Sequence, residues 1–178
     1  MNIYIDIETL RSPEEHRQAL IKEVVGNFKA ASTLTKTQAA IDLGLTDEKE
    51  IKFTSKDAMI ARWEKELASS KAESVAQAAW EKTSFNPDVA PIACICISYI
   101  ELGTVYNESF SVENLTEKQM LVMFHSCVDK ICSKQLAGGT IEKVKPNFIG
   151  HNLAKFDLPF IWKRSVINNV GTCHGVKW

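Results

Sequence analysis

The sequence predicts a mixed α/β fold. Three observations carry that prediction: a strand-like alternation at the very start, two strand-like runs after the middle, and capped helices between and beyond them. In Asn2-Ile3-Tyr4-Ile5-Asp6-Ile7-Glu8-Thr9-Leu10, Ile3, Ile5 and Ile7 alternate with Tyr4, Asp6 and Glu8. This is the period of a strand with one face on a core. Asp6 and Glu8 then project from the same face, roughly 6–7 Å apart. Two carboxylates held side by side repel each other, and a hard divalent cation such as Mg²⁺ or Mn²⁺ would remove the repulsion. A solvated strand face is the plainer reading, because so short a pattern occurs often by chance.

Residues 11–85 read as mostly helical, an elaboration on one face of a sheet with no internal repeat. Ser12-Pro13-Glu14-Glu15 has the form of a helix start, with Ser12 as cap, Pro13 in the first position and Glu15 closing a capping box. Leu20, Ile21, Val24, Val25 and Phe28 supply an apolar stripe, and Gly26 weakens the helix near its end. Residues 35–43 form a short helix stopped by Gly44. Thr54-Ser55-Lys56-Asp57 is a second capping box, with Ile60, Trp63 and Leu67 on one face. Ser69-Ser70 predicts a break before another short helix at Val75, Ala78 and Ala79. Trp63 and Trp80 read as packing residues.

Asn86-Pro87-Asp88 signals a turn. Residues 92–100 are dense in apolar and β-branched side chains, which predicts a strand buried on both faces. Gly103 marks the turn of a hairpin whose second strand is 104–111. Thr116-Glu117-Lys118-Gln119 caps a helix with Met120, Met123, Phe124, Cys127, Val128 and Ile131 on its buried face. Gly138-Gly139 is a loop lacking the rest of any phosphate-binding pattern. Asn147-Phe148-Ile149 is a short strand running to Gly150, and residues 153–167 form a helix with Pro159 near its first turn.

The 178 residues suffice for one domain with a real core. No apolar run approaches membrane-spanning length, and the acidic opening strand is no signal peptide, so a cytoplasmic location is expected. The five cysteines are odd in number, and Cys94 and Cys96 fall inside the apolar run, which suits reduced, buried thiols. Cys127 and Cys132 lack the spacing of a zinc site. The net charge of −1 hides an asymmetry: residues 134–178 hold seven basic side chains against two acidic ones. A basic end suits a phosphate-bearing substrate, and equally a solvated surface.

The second acidic element is Gly150-His151-Asn152-Leu153-Ala154-Lys155-Phe156-Asp157-Leu158-Pro159-Phe160. Here Asp157 opens a helix that follows a strand. If that strand lies beside the first, Asp157 reaches the cleft of Asp6 and Glu8, a costly convergence unless cations occupy it. Alone, Asp157 reads as an acid well placed at a helix N-terminus.

Together, Asp6-x-Glu8 and Asn152-x-x-x-Phe156-Asp157 resemble the first two motifs of the DEDD superfamily of 3′–5′ exonucleases. The text around them is most similar to the proofreading domains of family-B DNA polymerases and to stand-alone exonucleases of phages and prophages. The resemblance implies a ribonuclease H-like mixed sheet with flanking helices and a helical insertion, residues 11–85, after the first strand. It also implies hydrolysis by two Mg²⁺ or Mn²⁺ ions at the 3′ end of single-stranded or frayed DNA. Asp6 would bridge both ions, Glu8 would hold the water-activating one, and Asp157 would help place the second. Thr9, Leu10, Asn152 and Phe156 would contact the strand being shortened, Phe156 being equally readable as a core residue. Replication or recombination proteins are the implied partners. The family's third motif, a Tyr-x-x-x-Asp or His-x-x-x-x-Asp, has no counterpart: no Asp, Glu or Tyr follows Asp157, and His174 has no acid after it. The C-terminal part of the fold is therefore read as missing, and activity of this chain as reduced. The alternatives are a catalytically impaired nucleic-acid-binding module on the same fold, an endonuclease or RNA-trimming enzyme, and a structural protein.

Overall fold

A computed structural model describes residues 1–135, 139 and 141–173. The predicted loop residue Gly138, together with His174, lies outside them. Strand β1 (Asn2–Thr9) buries Ile3, Ile5 and Ile7 and exposes Tyr4, Asp6 and Glu8. It pairs antiparallel with β2 (Ile92–Glu101), which pairs antiparallel with β3 (Thr104–Ser111). The β2–β3 turn is Leu102-Gly103, both at positive φ, as a two-residue hairpin turn requires. A short hairpin, β4 (Ser133–Gln135) and β5 (Ile141–Lys143), precedes β6 (Asn147–Ile149). On the other side of β1, β6 runs parallel, matching Asn2 to Asn147 and Tyr4 to Ile149. The result is a mixed α/β fold with a four-stranded sheet in the order β3-β2-β1-β6 and flanking helices.

The isoleucine face of this sheet carries the core of the unit formed by Met1–Ser12 and Thr83–Trp178. The helix Glu117–Ile131 contributes Met120, Leu121, Phe124 and Val128, and the helix Asp157–Ile167 contributes Phe160 and Ile161. The first of these has the expected capping box at Thr116 and Gln119. Met123, expected inside, is exposed, while Leu121 and His125 are buried in its place. Glu117 accepts from both Arg164 Nε at 2.8 Å and Arg164 Nη2 at 2.6 Å, and from the Ile92 N–H at 2.8 Å, joining the two helices to β2.

Strand β2 corrects an expectation: it is not buried on both faces. Ile92, Ile95 and Ile97 are buried, but Cys96 is exposed and Cys94 half-buried. In register, Cys96 stands opposite Asp6 and Cys94 opposite Glu8, so both thiols share the acids' open face.

Pro13–Lys82 form a second compact unit. Its helices are α1 (Glu14–Asn27), α2 (Lys36–Asp42), α3 (Glu48–Phe53) and α4 (Lys56–Glu81). The two helices of the sheet unit are accordingly α5 (Glu117–Ile131) and α6 (Asp157–Ile167). Ala39, Ala40, Met59 and Trp63 make a core of the helical unit's own, lined by Phe28, Leu34 and Leu67. Trp63 packs on Phe28 and donates to Asp42 at 2.9 Å, and Arg17 lies over the Trp80 ring, so both tryptophans are packing residues. Three local expectations are corrected. Ser12 does not cap α1: Pro13 holds the cap position, and Ser12 is buried with its N–H on Thr83 Oγ1 at 2.9 Å. Ser69-Ser70 does not break the chain, since α4 runs unbroken for 26 residues. With neither Gly nor Pro in that span and Ser70 Oγ donating to the Leu67 carbonyl, nothing forces a stop. Finally α6 begins at Asp157, because residues 151–156 form bends and turns. Among the described residues no helix is long and apolar enough to cross a membrane.

Candidate acidic site at the edge of the sheet

Parallel pairing of β1 with β6 stops at Tyr4. Beyond it, the β1 backbone needs another partner on that side, and Asp157 supplies one. Its Oδ1 accepts the Ile7 N–H at 3.2 Å, across 150 residues of sequence. The first residue of α6 is thereby tied to the strand that carries Asp6 and Glu8. Asp157 is only 4 % exposed. Burial raises its pKa, and the nearby charge of Asp6 raises it further, against hydrogen bonds from its own N–H and that of Ile7 and the charge of His151. Asp6 and Asp157 therefore lie within electrostatic reach of each other. Glu8 is on Asp6's face and exposed. Among the described residues, no group of three His, Cys, Asp or Glu side chains is arranged to hold a metal ion.

The approach of α6 to β1 depends on Gly150. A Cβ there would stand 2.6 Å from the Ile5 carbonyl oxygen, far inside contact distance. Glycine alone allows the chain leaving β6 to pass so close to β1. Next, Asn152 adopts φ +50°, and its carbonyl accepts the N–H groups of Lys155 and Phe156, which folds the chain back toward α6. Asn152 and Lys155 line a shallow cleft of about 530 Å³ beside β6.

The other predicted contact residues are distributed less simply. A bulge between Glu8 and Thr9 ends the regular pairing of β1 with β2. It leaves the Thr9 hydroxyl donating to the Ser84 carbonyl at 2.7 Å, and Leu10 is 44 % exposed. Phe156 packs against the core, its ring 5.3 Å from Phe160 and 6.1 Å from Phe85, which favours the packing reading for it. Of the basic C-terminal side chains, Lys163 pairs with Asp88 at 2.8 Å and Arg164 with Glu117.

A second cleft, of about 470 Å³, opens on the polar face and includes Tyr4, Asp6, Cys96, Ser109 and His151. Sequence reasoning missed the contribution of β2 and β3 to it. The signal was present: Cys94, Cys96 and Ser98 alternate with Ile95, Ile97 and Tyr99, but cysteine read as one more apolar residue conceals the alternation. Partial desolvation of its sulfur, the hydrogen-bonding neighbour Cys94 and the charge of Asp6 push the Cys96 thiol up, Ser109 opposing them.

The chain matches no protein-family model, no curated protein sequence and no solved structure.

Proposed function

We propose that this protein is a metal-dependent 3′–5′ exonuclease with a ribonuclease H-like fold, acting on single-stranded or frayed DNA ends. One observation supports it most: an acid from far downstream, Asp157, is hydrogen-bonded to the strand of Asp6 and Glu8 and feels the charge of Asp6. The charge of Asp6 disfavours the ionised Asp157, a repulsion that a bound cation would relieve. The order β3-β2-β1-β6, with two antiparallel pairings and one parallel pairing, agrees with the fold that the motifs imply.

The hard oxygen donors fit Mg²⁺ or Mn²⁺, which are held by as few as one or two carboxylates while water and substrate phosphate fill the other positions. Asp6, Glu8 and Asp157 are the residues that would hold such ions. When bound, the ions supply charge to stabilise the phosphoryl oxygens and a more acidic water. The chain's own contribution is positional. Ile7 N–H orients the Asp157 carboxylate, and Asn152 and Lys155 offer an amide and a cation to the backbone of the terminal nucleotides.

The second reading, an impaired nucleic-acid-binding module, draws on a different observation. Asp157 is buried with one oxygen engaged, and the acids do not assemble a three-ligand group among the described residues. A 3′-labelled oligonucleotide incubated with the protein and Mg²⁺ or Mn²⁺ separates the readings. The exonuclease releases mononucleotides, and Asp6→Ala or Asp157→Ala slows release by about 100-fold or more. Binding without release in either metal replaces the enzyme with the module. Internal cuts point to an endonuclease, and a requirement for 2′-hydroxyls to RNA trimming.

A further inference from the structure

The open face of β2 and β3 holds a second constellation that the acidic site does not use. Cys94 Sγ and Cys96 Sγ lie 3.5 Å apart. Ser109 Oγ, directly opposite Cys96 in the β2–β3 register, is 3.6 Å from the first sulfur and 3.8 Å from the second. The three atoms make a nearly equilateral triangle. Around a tetrahedral zinc-type ion, with Zn–S near 2.3 Å and Zn–O near 2.1 Å, two sulfurs stand about 3.8 Å apart and sulfur and oxygen about 3.6 Å. The observed triangle is thus close to one face of such a tetrahedron. Neither thiol is in a disulfide, and Cys96 is exposed. Asp6 and Glu8, across the β1–β2 pairing from Cys96 and Cys94, give this face a negative field that favours cations.

We propose that Cys94, Cys96 and Ser109 form a binding site for one thiophilic divalent cation of the zinc group. The two sulfurs bind as thiolates, each thiol releasing its proton to solvent as the ion enters. The serine oxygen faces the third position, and water fills the fourth. With only two strong ligands the ion is exchangeable, and hard Mg²⁺ does not compete for sulfur. The site borrows the field of Asp6 and Glu8 but takes no ligand from the acidic site, so cadmium binding is read independently of any nucleotide release.

Cd²⁺ is the probe, titrated into the native protein with Mg²⁺ in excess and followed by the ultraviolet thiolate-to-metal absorption. One equivalent saturates the band. Cys94→Ser or Cys96→Ser weakens binding at least about tenfold, and Ser109→Ala weakens it a few-fold, consistent with its weaker donor. Alkylation of the unmodified protein, mapped by mass spectrometry, needs no variant: Cd²⁺ protects Cys94 and Cys96. Absence of the band, or protection confined to Cys127, Cys132 or Cys173, overturns the proposal.

Discussion

Asp157 Oδ1 accepts the backbone N–H of Ile7 at 3.2 Å, and this bond joins the two acidic motifs. It also makes Asp157 both a structural residue and a candidate functional one. An asparagine keeps a carbonyl oxygen for the Ile7 N–H and drops the charge that burial and Asp6 disfavour. Asp157→Asn is expected to stay within about 1 kcal/mol of the parent, whereas Asp157→Ala, which strands a buried N–H, costs about 1–3 kcal/mol. Urea-unfolding midpoints measure both. Equal losses in the two variants would show that the hydrogen bond is not what Asp157 contributes.

Two glycines make opposite predictions from one substitution. Gly150→Ala drives a Cβ to 2.6 Å from the Ile5 carbonyl, so β6 must shift from β1. A loss of about 1–3 kcal/mol is expected, together with loss of the nucleotide release proposed above. Gly26→Ala, inside α1 where the new methyl meets nothing within 4 Å beyond its chain neighbours and the helix's own backbone, gains about 0.5–1 kcal/mol. Thermal unfolding of the two variants beside the parent decides each sign.

Glu117 concentrates three connections in one carboxylate. Burial alone would raise its pKa, but Arg164, the Ile92 N–H and Asn168 hold it below the usual range. Stability from this group is present above the ordinary glutamate value and is lost as pH falls through the lower folded value. Glu117→Ala leaves the Arg164 guanidinium without its carboxylate at a largely buried site, Nη1 keeping the Pro87 carbonyl, and about 3 kcal/mol should be lost at neutral pH. Denaturant titrations at pH 7 test this, and a loss below 1 kcal/mol would mean that water replaces the carboxylate freely.

His125 gives acid sensitivity of a different kind. It is buried, with Nδ1 accepting the Cys173 N–H at 3.2 Å and Nε2 2.9 Å from Ser165 Oγ. The Ser165 hydroxyl donates to the Ile161 carbonyl, so the neutral ring carries its proton on Nε2 and donates to Ser165. Burial depresses the imidazole to about 4 from an ordinary 6.5. Between those values the unfolded chain binds a proton that the folded chain refuses. The contribution is therefore complete above about pH 6.5 and lost as pH falls toward 4, by at most about 3 kcal/mol. His125→Gln should flatten the decline between pH 7 and 5 in urea midpoints. An unchanged decline would assign it to the carboxylates.

Much of the sheet was legible in advance because its signals are local. The Ile3, Ile5, Ile7 alternation, the Gly103 turn and the Thr116–Gln119 capping box each specify a backbone conformation within a few residues, and each element formed where expected. The break assigned to Ser69-Ser70 failed because serine only mildly weakens a helix whose neighbours favour it. The cap assigned to Ser12 failed because its Oγ, the atom a cap would use, accepts instead from the Thr83 hydroxyl at 3.2 Å.

The sequence alone determined which face of β1 bears Asp6 and Glu8, since side-chain alternation along a strand leaves no other choice. Local pattern carried no information on which element lies beside that face, and only the tertiary structure decided it. Pairing of β1 with β6 sets Asp157 on Ile7, and pairing with β2 sets Cys96 opposite Asp6. Such neighbours come from strand register and from the close passage at Gly150, which hydrogen bonding and packing across the whole chain select.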